Sequence, residues 1–450
     1  MYLSSESGKV MLWQIKKVLH CHFSDLQHLL SSMPDPRKGA TYSIEELVMA
    51  AIVLFLLNCD SRNDFNNKTK NEQFQQNYYR MFRLELPHMD AVNDLFEKLN
   101  PKELEKICCH LFSKLIDRRV FHRFRFFGGY FYIAVDATGV YNWRNDPPED
   151  IRKHAVKKEY EKGKVNYSSQ VLVAVLICAG GMTIPLMSEW VANHDSKNLK
   201  QDCELNAFKR LSVKMKEYFP RLPVCIVADG LYSNGSIMEI CEQYGWKFIT
   251  VFKDGILSTV WEEVNSLLLL KDGYHTKETL FYESKRWITR KYRWINNIEY
   301  QKRSIHWIEC VQETVHQDTG KKETNRFVFL TNHDVNHNNI VKLLAAGRAR
   351  WLIEDFFNTQ KNRGGALHHK FNRNNFNAIK NWHSVRQMAA MIKELVKHTA
   401  ELQQMKKKDH KMTWKQLWKD LNDLLSMCAV QEAMNEFEQW VTSRRQVRLE

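Results

Sequence analysis

The chain has 450 residues, of which 44% are hydrophobic and 12% aromatic, so a disordered protein is excluded and several folded domains are possible. Its 66 basic and 52 acidic side chains give a net charge of +14, which favours a polyanionic partner such as nucleic acid or an acidic membrane surface. The ten cysteines are scattered without a C-x-x-C pair, so neither a zinc site nor a disulfide framework is expected. The N-terminus lacks the apolar core of a signal peptide and no apolar run is long enough to span a membrane, so we expect a cytoplasmic protein.

Helical patterns dominate the first part of the chain. Residues 10–31 carry apolar side chains at three- and four-residue spacing. Ser43 and Glu46 form a capping-box pattern before an apolar run that ends at Leu57. We predict a helical DNA-binding domain over residues 1–125, although no clean helix-turn-helix pattern is present.

From about Phe126 the pattern becomes that of an α/β region, which we assign to residues 126–251. Apolar runs predict strands, Gly180-Gly181 predicts a hairpin turn, and amphipathic runs predict helices between the later strands. This order of three strands, helix, strand, helix and strand is typical of an RNase H-like core, an α/β layered fold. The predicted elements are strands 131–136, 170–178 and 183–191, helix 199–216, strand 224–229, helix 233–244 and strand 247–251.

A closing helix should follow directly in such a core, but roughly eighty residues intervene. Residues 252–330 are rich in β-forming and aromatic side chains and are predicted to be a β-rich insertion. The helical pattern returns from Ile340 through His369. We assign residues 331–395 to closing helices of the core and residues 396–450 to a helical C-terminal region.

Three acidic residues carry the functional argument. Asp136 and Asp229 each follow an apolar, strand-like run, and Glu354 lies in a helical pattern with Arg350 and Lys361 on the same face. Each acid alone would be an ordinary turn or helix residue; it is their combination that indicates function. Two Mg²⁺ ions held by carboxylates can activate a nucleophile and stabilise the leaving oxygen of a phosphodiester. We therefore predict a two-metal site with the three acids as catalytic residues and metal ligands.

The chain resembles the DDE transposases of bacterial insertion sequences, in the group that carries a β-strand insertion in its RNase H-like core. That group has a tyrosine, an arginine, a glutamate and a lysine at fixed spacing; Arg350, Glu354 and Lys361 match, whereas Gly347 stands at the tyrosine position. The surroundings of Asp136 and Asp229 are similar to the paired aspartate motifs of the family. Other similar segments are residues 35–37, 42–43, 61–66, 200–204 and 364–369.

The resemblance implies DNA transposition with two Mg²⁺ ions per active site, and with Mn²⁺ as a substitute. Hydrolysis frees a 3′-hydroxyl at each element end, and this hydroxyl then attacks target DNA. The implied partners are the terminal repeats of the element and the target DNA, with a homodimer on the paired ends, no membrane and no small-molecule substrate. Arg350 and Lys361 would hold the phosphate near the cleaved end.

Further DNA contacts are predicted where basic and aromatic side chains occur together. Residues 286–294 alternate in strand fashion and carry dense positive charge, and residues 341–385 contain eight Lys and Arg against two Asp and Glu. A tryptophan in the first of these segments can stack on an unpaired base, although strand tryptophans more often pack in a core. The predicted DNA-binding residues are Arg350, Lys361, Trp351, Arg290, Arg293, Trp294 and His368.

Other functions fit parts of this pattern. A metal-dependent nuclease or resolvase would use the same core without strand transfer. A non-catalytic DNA-binding descendant of a transposase would keep the fold, but it has no physical need for three converging carboxylates. A basic membrane-surface protein is disfavoured because no basic amphipathic helix with an aromatic face is present.

Overall fold

The N-terminal region of the computed structural model is helical. The capping box is confirmed: the Ser43 hydroxyl accepts a hydrogen bond from the Glu46 backbone, and the Glu46 carboxylate accepts one from the Ser43 backbone. The predicted helix 10–31 is two helices, interrupted at residues 23–25. The structure describes residues 2–144, 146–160, 164–192, 203–443 and 447–450. The N-terminal helices are α1 (Tyr2–His22), α2 (Leu26–Ser31), α3 (Ile44–Leu56), α4 (Arg62–Thr69), α5 (Glu72–Phe82), α6 (Met89–Lys98) and α7 (Pro101–Asp117).

The α/β region contains the five predicted strands, and the glycine pair at 180–181 forms the predicted turn, with positive φ at both residues. The predicted helix 199–216 begins outside the described residues, which resume at Cys203. A short helix and an additional strand were not predicted. The elements are β1 (Phe131–Trp143), α8 (Glu149–His154), β2 (Val156–Tyr160), β3 (Lys164–Ile177), β4 (Thr183–Val191), α9 (Glu204–Tyr218), β5 (Val224–Ala228), α10 (Gly235–Tyr244) and β6 (Lys247–Val251).

The segment predicted as a β-rich insertion forms four long strands preceded by a helix. These are α11 (Ser258–Leu268), β7 (His275–Glu283), β8 (Arg286–Tyr300), β9 (Arg303–His316) and β10 (Lys322–Thr331). They do not form a separate sheet, because β10 pairs antiparallel with β6. The insertion therefore extends the sheet of the α/β region.

The helical pattern after Ile340 was predicted to run through His369, and this prediction was wrong. The helix is interrupted at Ala349 and Arg350 and ends at Asn362, and residues 363–375 form a loop. The helices of this part are α12 (Ile340–Arg348), α13 (Trp351–Asn362), α14 (Phe376–Lys397), α15 (Ala400–Lys408), α16 (Trp414–Met427) and α17 (Gln431–Thr442).

A single mixed sheet organises the molecule. Its strand order is β2-β3-β1-β5-β6-β10-β9-β8-β7, and β4 pairs with β3. Strands β1, β5 and β6 are parallel neighbours, whereas β3 is antiparallel to β1 and β4 is antiparallel to β3. The protein is thus a mixed α/β protein with helical termini.

Helices cover both faces of the central strands. Apolar residues of α12 and α13 pack with Ala134 of β1 and Val227 of β5 on one face, whereas α9 and α10 pack on the opposite face. The N-terminal and C-terminal helices pack in the same hydrophobic cluster as α9 and α10: α1 contacts α16, and α3 contacts α14. Within the described ranges, none of the helices combines the length and apolar character needed to cross a lipid bilayer.

Candidate active site

Asp136 and Asp229 lie at the same level of the sheet. Ala134 of β1 pairs with Val227 of the parallel strand β5, and each aspartate follows its paired residue by two positions. Because side chains alternate along a strand, both carboxylates are directed to the face on which α13 packs. Asp136 was predicted to end its strand, which is wrong. It lies inside β1, opposite Val173 of β3, and β1 continues to Trp143. The parallel strand β5, in contrast, ends at Ala228, before the level of Asp136.

The helix α13 and the residue before it carry the three signature residues, but in the described structure Asp136, Asp229 and Glu354 do not form a metal-binding cluster. Arg350 immediately precedes α13, and its guanidinium lies 2.5 Å from the Glu354 carboxylate, one helical turn away. The Glu354 side chain is 57% exposed, and Lys361 lies in the last turn of the helix. Burial lowers the pKa of Lys361, and the charge of Asp136 opposes that shift. Both residues that flank Glu354 in the signature, Arg350 and Lys361, are therefore close enough to Asp136 to interact with its charge.

Burial raises the pKa of Asp136 to about 6, and the nearby carboxylate of Glu204 adds to the shift. The backbone N–H of Ala137 and the guanidinium of Arg350 lower this pKa, whereas Asp229 raises it further. Asp136 and its two acidic neighbours are thus within electrostatic reach of one another.

Glu204 was missed as a functional residue by the sequence analysis, which assigned no role to it. It is the first residue of α9, which packs on the face opposite α13, and its carboxylate accepts a 2.6 Å hydrogen bond from the Tyr232 hydroxyl. Burial raises its pKa, the Tyr232 hydrogen bond opposes the shift and Asp229 adds to it. The only available signal was its place in the family-like segment 200–204, of which residues 200–202 lie outside the described residues. We call Asp136, Asp229 and Glu204 the acid edge.

The donor chemistry of the acid edge suits a divalent cation. Asp136 and Asp229 each accept one backbone hydrogen bond, and within the described residues no acid-edge member has a basic side chain within ion-pair distance. Carboxylate oxygens are the ligands that Mg²⁺ prefers, and a cation would relieve their mutual repulsion. As the side chains stand, no three acids, histidines or cysteines of the described part form a ready-made metal cluster. The residues fit the ion by chemistry and charge.

The predicted DNA-binding residues of the insertion are mostly engaged within the protein. Arg290 donates to Gln312, and Arg293 pairs with the buried carboxylate of Glu309 at 2.5 Å. Trp294 is 1% exposed and stacks on His275, so in this structure it is a packing residue and presents no face to a base.

Two other predicted DNA-binding residues are accessible. Trp351, at the start of α13, is 56% exposed, and His368 is exposed in the loop that follows this helix. The Nδ1 atom of His368 lies 3.5 Å from the carbonyl oxygen of Val140 in β1. The structure therefore places both residues at the ends of α13 rather than on the insertion.

A basic cleft of about 590 Å³ adjoins Arg350. It lies between the end of β6, the middle of β10 and the junction of α12 with α13. Its basic side chains come from the loop after β6, from β10, from α12 and from the residue before α13, and Asp254 adds an acid to the lining. The basic residues are Lys253, Arg326, Arg348 and Arg350, and Trp351 forms part of the wall.

Gly347, which stands at the tyrosine position of the signature that the sequence resembles, lines the same cleft. A β-carbon at this position would lie 3.0 Å from Ile249 of β6 and 3.0 Å from Phe329 of β10. The helix α12 therefore approaches the sheet more closely than a larger side chain permits. Tight packing is a physical reason for the departure from the family pattern.

Two basic residues of α14, the buried Arg386 and the half-buried Lys393, hold the loop that follows α13. The Arg386 guanidinium donates to the carbonyl oxygen of Gly365 at 2.7 Å, and the Lys393 amine donates to that of Gly364 at 3.2 Å. Lys393 also donates to the Asn58 side chain at the end of α3. We call Arg386 and Lys393 the loop anchor, because seven residues separate them and they occupy one helix face.

Comparison with known proteins adds no assignment: no protein-family model matches this chain, and no curated protein matches it.

Proposed function

We propose that the protein is a DNA-cleaving enzyme of the DDE transposase type, which cuts at the ends of a mobile element and joins them to target DNA. The observation that carries the proposal is the shared level of Asp136, inside β1, and Asp229, just past the end of β5, with Arg350 and Lys361 close to Asp136. The strand order β4-β3-β1-β5-β6 and its directions support an RNase H-like core.

In this proposal Asp136, Asp229 and Glu354 would hold two Mg²⁺ ions, whose bound chemistry would be activation of a nucleophile and stabilisation of the leaving oxygen. The Arg350–Glu354 pair does not prevent such a role, because a partly exposed ion pair contributes little and can exchange partners. Arg350 can then contact a phosphate through two N–H groups, and Lys361 can contact it as a point charge.

The basic cleft supports a polyanionic substrate. Of its four cationic side chains, Arg350 acts on Asp136, whereas Arg326 pairs with Glu309 and Arg348 donates to Gln312. The positive charge at Arg350 offers a DNA strand in the cleft a point of approach to the acid edge. The exposed Trp351 in its wall is suited to stacking against a base. The protein is proposed to act in the cytoplasm as a homodimer on two element ends.

The decisive test is strand cleavage of a plasmid that carries the gene for this chain with its genomic flanks, in the presence of Mg²⁺ or Mn²⁺. Wild type is compared with Glu354→Gln and with Asp355→Asn, a matched control at the next helix position. The proposal expects metal-dependent cuts at two positions that bracket the gene, absent in Glu354→Gln and retained in Asp355→Asn.

Two other outcomes would replace the proposal. Binding to the flanks without cutting would identify a non-catalytic DNA-binding descendant. Cuts scattered without regard to the flanks, and still lost in Glu354→Gln, would identify a general nuclease or resolvase on the same core.

A further inference from the structure

Glu204 belongs to the acid edge although it comes from the opposite side of the sheet. The residues that follow it on α9 (Ala207, Phe208 and Leu211) pack in the hydrophobic cluster on the face opposite α13. Its position in the first turn brings its carboxylate to the turn that follows β5, where its charge interacts with those of Asp136 and Asp229. The acids therefore approach this edge from two layers of the fold.

Tyr232 fixes the position of this carboxylate. The Asp229 carboxylate accepts a hydrogen bond from the Leu231 backbone and so starts the turn Gly230–Tyr232. The Tyr232 ring is 1% exposed and packs edge-to-face on Phe208 of α9, and its hydroxyl donates to Glu204 Oε1 at 2.6 Å. The loop that carries Asp229 and the helix that carries Glu204 are thus joined by one buried tyrosine.

Glu204 and Glu354 differ in the charge of their partners. The Glu354 carboxylate is paired with the cationic Arg350 at 2.5 Å, whereas Glu204 is bonded to the neutral Tyr232 hydroxyl, and its Oε2 atom makes no hydrogen bond or ion pair within the described part of the chain. A partly buried carboxylate oxygen without a partner, beside two other carboxylates, has a strong preference for a cation.

We propose that Glu204 is a further metal-ligating residue of the acid edge and that Tyr232 is its positioning residue. The inference rests on the proposed function, because it concerns the same divalent-cation centre. It adds to Asp136 and Asp229 a carboxylate that is outside the signature of α13. A hydrogen bond from Tyr232 to one oxygen of Glu204 leaves the other oxygen available, and this oxygen would contact an ion when one is bound.

The test measures Mn²⁺ binding to the full chain without DNA, with free Mn²⁺ followed by electron paramagnetic resonance. The variants are Glu204→Gln, Tyr232→Phe and Asp136→Asn. Glu72→Gln is the matched control, because Glu72 is the first residue of α5 and is exposed. Thermal melting of each variant establishes that it is folded.

We expect Glu204→Gln to weaken Mn²⁺ affinity about 100-fold, in the same range as Asp136→Asn, and Glu72→Gln to leave it unchanged. Tyr232→Phe keeps the ring in its packing and is expected to weaken affinity about tenfold. If Glu204→Gln does not fold, the Tyr232→Phe result decides the question.

The failures are distinguishable. If Asp136→Asn loses Mn²⁺ binding while Glu204→Gln and Tyr232→Phe bind like wild type, the inference about Glu204 is overturned and the proposed centre stands. If Asp136→Asn also binds like wild type, the proposed metal centre itself is wrong, and Glu204 has no ion to hold.

Discussion

The acid edge and the loop anchor each contain partly or fully buried charged groups of one sign. The two regions differ in how many hydrogen-bond partners these groups have. In the loop anchor, Arg386 and Lys393 donate hydrogen bonds to backbone carbonyl oxygens and an amide, and the Arg386 guanidinium lies over the rings of Phe55 and Phe371. In the acid edge, the carboxylates keep acceptor capacity that the described residues do not use.

This difference shows that burial of a charge does not by itself mark a functional site. A buried cation surrounded by carbonyl oxygens stabilises the protein by ordering a loop, and it has nothing left to offer a ligand. A group of carboxylates with unused oxygens is stabilised only when a cation arrives. The loop anchor is therefore expected to govern stability and the acid edge to govern chemistry.

The largest effect is expected from Asp136→Asn. Since a catalytic metal supplies several kcal/mol, loss of a central ligand should reduce cleavage by about 10³-fold or more. The same change removes a carboxylate that burial and neighbouring acids disfavour, so the melting temperature should stay unchanged or rise. Cleavage assays and thermal melting on the same preparation measure both. A variant that loses stability together with activity would break the contrast between the two regions.

Arg386→Leu, in the loop anchor, is expected to lower stability, which Asp136→Asn is not. It leaves the carbonyl oxygen of Gly365 without its donor and creates a cavity, so we expect a loss of about 3 kcal/mol in the free energy of unfolding. Urea denaturation measures the loss. The exposed Arg373→Leu is the control and should change stability by less than about 0.5 kcal/mol. A more stable Arg386→Leu would show that the burial cost of the guanidinium exceeds its bonds.

The stability contributed by Lys393 should depend on pH. Burial lowers its pKa from 10.5 to about 7, so between these values the unfolded chain binds more protons at this site than the folded protein. Stability should therefore rise with pH from about 7 towards 10.5, and Lys393→Met should remove this rise. Melting curves across this range provide the comparison, with the exposed Lys411→Met as a control that keeps the wild-type slope. Parallel profiles for wild type and Lys393→Met would contradict the prediction.

The smallest effect on stability is expected from Glu354→Gln. In the ion pair with Arg350, the Arg350 side chain is 19% exposed and the Glu354 side chain is 57% exposed. Exposed pairs contribute less than about 1 kcal/mol. Urea denaturation should show a change within that limit, although the same variant is expected to lose cleavage. A loss several times larger would mean that Glu354 is a structural residue and would weaken its proposed catalytic role.

Local sequence patterns were sufficient for much of the fold. The apolar runs that predict β1, β3, β4, β5 and β6, and the capping box at Ser43, depend on residues that are close in the chain. The helical spacing that places Arg350, Glu354 and Lys361 on one face is equally local. These features follow from the periods of the strand and the helix, which no distant residue needs to supply.

Other features were decided by partners far away in the chain. The pairing of Ala134 with Val227 sets the level of the two aspartates, and the pairing of β10 with β6 joins the insertion to the central sheet. Burial of Trp294 depends on side chains of neighbouring strands and loops.

The sequence by itself thus determined the order of most helices and strands, and it placed Asp136 and Asp229 in or after strands and Glu354 in a helix. Only the tertiary structure decided which acids meet, because Glu204 reaches the acid edge through a helix packed on the opposite face and a tyrosine 28 positions away. The period of a strand or helix is encoded locally, whereas register, burial and charge compensation arise from contacts between segments that are distant in sequence.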